Sequence, residues 1–201
     1  MIFIPICPGK ALIVYLATVV CDIIVIMILR GYNMGESIVT KIEGVTIRLA
    51  KREDVGLVLR FIKELADYEE LLSEVVATEE ILLETIFEKR AAEVVIAELE
   101  NEPVGFALFF HNFSTFLGRP GLYLEDLYVR PEMRGKGIGK LLLSYLAKLA
   151  LDRGCGRFEW WCLDWNTPSI DFYKSIGAIP MDEWTVYRVT GDALTKLADE
   201  F

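Results

Sequence analysis

The chain has 201 residues, a net charge of −9 and four cysteines with no CxxC pair. So acidic a chain lacks the clustered Lys and Arg that a nucleic-acid partner demands, and this cysteine usage argues against a disulfide framework or a zinc site. One domain, or one domain with an appendage, fits the length, and the negative field suits small cationic ligands.

The first 33 residues are almost wholly apolar, with only Lys10, Asp22 and Arg30 charged. Ala11 to Leu29, if helical, spans about 28 Å, close to the roughly 30 Å hydrocarbon core of a bilayer. Two readings stand. The segment is a membrane anchor that leaves the rest facing the cytoplasm, because Lys and Arg are denser after it. Alternatively, Met34 is the true start and residues 1–33 are an over-called beginning. The second is preferred, because nothing after Met34 calls for an anchor. The expected organisation is therefore an apolar segment over 1–33 and one domain over 34–201.

Val45–Ala50 alternates like a short strand. Val55 to Glu70 is predicted helical: Val55, Val58, Leu59, Ile62, Leu65 and Ala66 fall on one face at helical spacing. Thr78 caps a second predicted helix that runs to about Arg90. Glu93–Glu100 and Pro103–His111 read as a hairpin. Phe113–Pro120 is a loop, and Gly121–Val129 a strand that carries Glu125 and Asp126. Arg130–Lys136 connects to an apolar helix from Gly137 to about Arg153. Arg157–Leu163 is a strand, and a helix follows that starts at Thr167 and Pro168 and stops at Gly177. Trp184–Val189 is expected as a last strand before a short terminal helix. This order gives a mixed α+β domain around one sheet.

The segment Arg134-Gly135-Lys136-Gly137-Ile138-Gly139 stands between a strand and a helix. Glycines let a ligand approach the backbone and permit positive φ. Converging N–H groups at a helix start favour anions. Together with Arg134 and Lys136 this is a pyrophosphate cradle. It is not a Walker A loop, which ends in GK[ST], nor the GxGxxG dinucleotide fingerprint.

An RxxGxG segment after an acidic strand, followed by Trp165-Asn166 and Phe172-Tyr173-Lys174-x-x-Gly177-Ala178, resembles the GNAT acetyltransferase superfamily. Within it the chain is similar to the spermidine/spermine (diamine) and thialysine acetyltransferases. The segments that carry the resemblance are IRLAKREDV, FIKELADYEE, VGFALFF, LYLEDLYV, RGKGIG and LDWNTPSIDFYKSIGA. It implies a sheet split at the Gly121–Val129 strand, with acetyl-CoA as cosubstrate and no metal. Its pantetheine arm would pair with Leu127, Tyr128 and Val129, and its pyrophosphate would sit on Arg134, Gly135, Lys136, Gly137, Ile138, Gly139 and Lys140. Asn166, Thr167, Pro168, Ser169 and Lys174 would also approach the cofactor. Tyr173 matches the general acid. Tyr68, Glu69, Glu125, Asp126, Glu159, Trp160, Trp161 and Glu183 match amine-substrate positions. The resemblance further implies a homodimer that shares C-terminal elements. Ser114-Thr115-Phe116 stands where polyamine-acetylating relatives carry an acidic residue and a tryptophan, and Leu163–Asn166 looks closer to the thialysine type.

Chemistry supports the same roles. An amine with a pKa near 10.4 is protonated at neutral pH and must lose a proton before it attacks a thioester. A carboxylate takes that proton directly or through water, and a phenol supplies one to the departing thiolate. Glu125 suits the first role and Tyr173 the second. Glu125 and Asp126 alternate faces in a regular strand, so only one enters a cleft unless a bulge re-aims the other. His111, the single histidine, lies near no nucleophile pattern and is expected to be structural. Nothing around Cys162 supports an activated thiolate. The reading is direct acetyl transfer to a small cationic amine, a polyamine, a diamine or a lysine-like amino acid. The alternatives are protein or peptide acetylation and a non-enzymatic CoA-binding module. A cytoplasmic setting is expected.

Overall fold

A computed structural model describes residues 37–201. The proposed anchor at 11–29 and the Met34 start lie outside the described residues. Among the described residues no helix is long and apolar enough to cross a membrane. The chain forms two compact units that meet in sequence at Trp160 and Trp161.

The first unit is built on a six-stranded sheet in chain order: β1 (Ile38–Val39), β2 (Val45–Leu49), β3 (Glu93–Leu99), β4 (Glu102–Ser114), β5 (Arg119–Val129) and β6 (Arg157–Trp160). Neighbours are antiparallel from β1 through β5, and β5 and β6 are parallel. The mixed α+β sheet is the one the element order implied. The β3–β4 hairpin turns through Glu100 and Asn101, both at positive φ (53° and 69°), as a two-residue hairpin of matching twist requires.

One face of the sheet is covered by α1 (Val55–Tyr68) and α2 (Glu79–Glu88), whose second half winds as a π-helix from Leu83. Thr78 Oγ1 accepts the Ile81 N–H and caps α2 as expected. Val58 and Phe61 of α1 are fully buried against Ile96, Phe106, Leu108 and Tyr128. The Phe61 and Phe106 rings stack at 5.3 Å. Burying side chains of this size stabilises by about 1.5–3 kcal/mol each. At the edge of this face Arg48 bridges Asp54 (2.6 Å) and Glu98 (2.7 Å), which ties β2 to β3 and to the start of α1.

On the other face lies α3 (Ile138–Asp152), with Ile138, Leu142, Leu143, Leu146, Leu149 and Ala150 buried. Arg153 just beyond it covers the Phe109 ring and forms a bidentate pair with Glu93. His111 Nε2 lies 3.5 Å from Arg153. Burial first, and then the Arg153 charge, holds its imidazole below the usual range.

The second unit, Trp161–Phe201, contains α4 (Thr167–Ser175) and α5 (Gly191–Ala198). Asn166 Oδ1 caps α4 by accepting the Ser169 N–H, and Pro168 fills its first turn. The expected strand at Trp184–Val189 is not formed. Its alternation fits a strand, yet no other segment of this unit is a strand. An extended segment without a neighbour has no ladder for its backbone groups to join.

Candidate active site

Strand β5 carries the acidic pair, and its register decides where the pair points. Tyr128, Asp126 and Leu124 stand opposite Phe106, Leu108 and Phe109, so β5 has one residue more than β4 at Glu125. This is a β-bulge. Along unbroken β4, Phe106, Leu108, Phe110 and Asn112 alternate onto the α1 face, so their partners Tyr128, Asp126, Tyr123 and Gly121 share that face. Counting on from Tyr123 brings Glu125 to the same side. Both carboxylates thus serve one face, the case that regular alternation forbids.

The electrostatics follow. Asp126 is pushed up to about 7, first by burial, then by the charges of Glu125 and of Glu69 just beyond α1. Glu69 is itself raised by burial. Three carboxyl groups therefore crowd one region, and one of them is half-protonated near neutrality. A cation placed among them would relieve that repulsion.

Strand β6 pairs with β5 only as far as Leu124 and Trp160. Beyond this point no described strand joins β5 on that side, and Leu127, Tyr128 and Val129 lie in the open stretch. Arg134, a predicted phosphate ligand, is engaged on the protein. Its Nε donates to the Val129 carbonyl (3.0 Å), and its guanidinium lies 4.4 Å from the centre of the Tyr68 ring and 5.8 Å from that of Tyr128. Tyr68 therefore contacts the glycine-rich loop through Arg134 as well as adjoining Glu69.

After Arg134 the chain turns through Gly135 and Gly137 at φ 75° and 83°, a conformation other residues adopt at a cost. The N–H groups of Ile138, Gly139 and Lys140 precede the first intrahelical bond, from Leu141 N–H to Gly137 O (2.9 Å). The first turn holds no acidic side chain, and the space a side chain would fill at Gly135 is open. Orphan first-turn amides, open space and Lys136 and Lys140 fit an anionic diphosphate.

In β6, Glu159 is engaged as well. Its Oε1 accepts from Asn112 Nδ2 (2.5 Å) and pairs with Arg157 (3.1 Å). Neither Asn112 nor Arg157 was singled out from the sequence. Alternation through Arg157-x-Glu159 puts the two on one face, but only the register with Gly121 reveals Asn112. Trp160 ends β6. In the second unit Trp161 is exposed, and Thr167, Pro168, Ser169, Tyr173 and Lys174 lie within α4. Asn166, a predicted cofactor contact, commits its side chain to the α4 cap, and Glu183 lies exposed in a turn.

Residues 60–178 match the acetyltransferase (GNAT) family model, and the chain belongs to this family of N-acetyltransferases. Among its relatives, thialysine N-epsilon-acetyltransferase of Sus scrofa is 41% identical over 166 residues, 77% of this chain and 97% of the relative. L-ornithine N5-acetyltransferase NATA1 of Arabidopsis thaliana is 34% identical, over 75% of this chain and 86% of its own. A solved integron cassette protein from the mobile metagenome of V. cholerae superposes with a TM-score of 0.64 at 32% identity, over 77% of this chain and 98% of its own. The chain has the GNAT fold, and it is an enzyme of the acetyltransferase class whose family uses acetyl-CoA as cosubstrate.

Proposed function

We propose that the enzyme moves an acetyl group from acetyl-CoA to a primary amine of a small cationic substrate, a polyamine, a diamine or a lysine-like amino acid, by direct transfer. The observation that carries this reading is the bulge at Glu125, which turns Glu125 and Asp126 to one face beside the open stretch of β5. Relatives named for thialysine and for ornithine support the amine class.

In this reading the backbone of Leu127, Tyr128 and Val129 receives the pantetheine arm. The amides from Gly135 to Lys140 hold the diphosphate. The family resemblance assigns Asn166 to Ser169 and Lys174 to the same cofactor. Bound acetyl-CoA supplies an activated acyl group. Glu125 accepts the proton the ammonium must lose, directly or through water, and Asp126 and Glu69 attract the cation. Tyr68, Glu159 and Trp160 line the amine side, and the family resemblance assigns Trp161 and Glu183 to the same role. Tyr173 holds a phenolic proton for the departing sulfur. A homodimer and a cytoplasmic setting belong to the same reading. The exposed Trp184, Val186, Tyr187 and Val189 of the unpaired segment suit pairing with a second copy.

The test is steady-state CoA release with spermidine, putrescine, lysine, thialysine and a short lysine peptide. Selective turnover of a free amine is expected. Turnover of the peptide alone would replace this reading with peptide acetylation, and saturable acetyl-CoA binding with no turnover of any would point to an acceptor outside this panel.

A further inference from the structure

We infer that the β1–β2 turn is part of the cofactor apparatus: Ile42 in that turn is a positioning residue that sets the glycine loop before α3 for the diphosphate of acetyl-CoA. The inference rests on the acetyl-transfer reading above, and it adds a residue outside the 60–178 segment that matches the family model.

The turn is built to hold its shape. The Thr40 N–H and Oγ1 both donate to the Val45 carbonyl (3.3 and 2.8 Å), and Oγ1 accepts the Ile42 N–H (3.2 Å). The Val45 N–H returns to the Ile42 carbonyl (3.0 Å). Gly44 closes the turn at φ 72°. Its carbonyl accepts the Glu100 N–H (2.9 Å), which fastens the turn to the β3–β4 hairpin. Lys41, Glu43 and Gly44 are exposed, as turn residues ordinarily are, yet Ile42 among them is half-buried.

Ile42 lies against Gly137. Its δ-methyl stands 3.4 Å from where a Cβ at Gly137 would be. Gly137 precedes α3 at φ 83°, and its carbonyl accepts the first intrahelical bond, from Leu141. Glycine takes positive and negative φ about equally, so nothing in Gly137 itself selects this value. Rotation there sets the direction in which Gly135 and Lys136 leave the helix start. It thus decides whether their N–H groups converge with those of Ile138, Gly139 and Lys140 on one anion.

The loop has a backed side and an open side. Ile42 backs Gly137, and Val129 Cγ2 stands 3.9 Å from the corresponding point at Gly139. At Gly135 that space is empty, which leaves a ligand room to approach. A loop held in its binding form beforehand is spared the cost of being ordered by the ligand. Ile42 acts through Gly137 and not on the ligand, so its effect belongs to donors that carry the diphosphate.

The test uses full-length wild type, Ile42→Ala, Ile42→Val, Ile42→Leu and, as a control at an exposed position of β1, Val39→Ala. CoA is titrated calorimetrically into each. Steady-state kcat and KM are measured for acetyl-CoA and for S-acetylpantetheine, which lacks the diphosphate. Ile42→Ala is expected to raise Kd for CoA and KM for acetyl-CoA roughly 3- to 10-fold, a fraction of the cost of ordering one backbone residue. Its kcat, its KM for the amine and its KM for S-acetylpantetheine are expected to match wild type. Ile42→Leu is expected to recover most of the CoA affinity, and Val39→Ala to change none of these values. Ile42→Val deletes only the touching methyl; it is expected to move Kd in the same direction, and it carries the test if melting curves show that Ile42→Ala has lost the fold. A Kd for CoA that neither substitution changes, or a KM that rises equally for both donors, overturns the inference and leaves the acetyl-transfer reading standing. Wild type that neither binds CoA nor turns over either donor overturns both.

Discussion

Asp126 is a carboxyl group that the fold keeps from water and sets against two like charges. Held up to about 7 in the folded state, against an ordinary value near 3.9, it keeps its proton where the unfolded chain has lost it. Between roughly pH 4 and pH 7 the native state binds more protons, so this group lowers stability as pH rises through that window, and the full penalty persists above it. Asp126→Asn is expected to raise Tm by several degrees at pH 8, on the order of 2–4 kcal/mol, with the gain fading towards pH 4. Melting curves across pH check this; a gain independent of pH would contradict it. Tyr173→Phe tests the other end of the proposed chemistry. Removing a proton donor used only in the transition state is expected to lower kcat by about a hundredfold and leave KM for the amine unchanged. CoA-release kinetics give both numbers. The sequence pointed to Glu125, Asp126 and Tyr173 as reactive types in a familiar order. It could not show that Asp126 is the more buried carboxyl, because burial depends on α1 and on the end that carries Glu69.

Among elements, α1 bears most on the site, since its C-terminal end carries Tyr68 and leads into Glu69 while its middle is anchored in the core. Phe61 is fully buried, stacked on Phe106, near Tyr128 and beneath Arg130. Phe61→Ala is expected to cost about 3–5 kcal/mol, read as a lower urea midpoint. Phe116→Ala, at an exposed loop position, is expected to change it by less than about 0.5 kcal/mol. The helix itself was legible, because six apolar residues at helical spacing have one physical explanation. So were α3 and α4, from their glycine and proline punctuation. The β5 bulge was not, since one surplus residue appears only when two strands are laid side by side. The segment Trp184–Val189 fails as a strand for the same reason: alternation records a face, whereas a strand also needs a partner.

For the whole molecule the net charge of −9 becomes a rate effect. Negative potential draws a cation to its site, and salt screens it over about 10 Å at 0.1 M. KM for a dicationic diamine is expected to rise several-fold between about 20 and about 300 mM salt, and KM for lysine, whose carboxylate cancels one charge, to rise less. Initial rates at a series of salt concentrations check this. An equal rise for both would assign the effect to general screening rather than to substrate charge.

The sequence by itself determined the family, the α+β class, the glycine-rich loop from Arg134 to Lys140 and the acidic pair on β5. These are local properties: periodicity, glycine where φ must be positive, and residue types in a fixed order. Only the tertiary structure decided that Glu125 and Asp126 share a face, that Arg134 clasps Tyr68, and that Asn112, Glu159 and Arg157 meet over Gly121. Each of those depends on register between strands or on a helix packed from far along the chain. Pairing distant segments is a property of the folded sheet and is written in no single stretch of sequence.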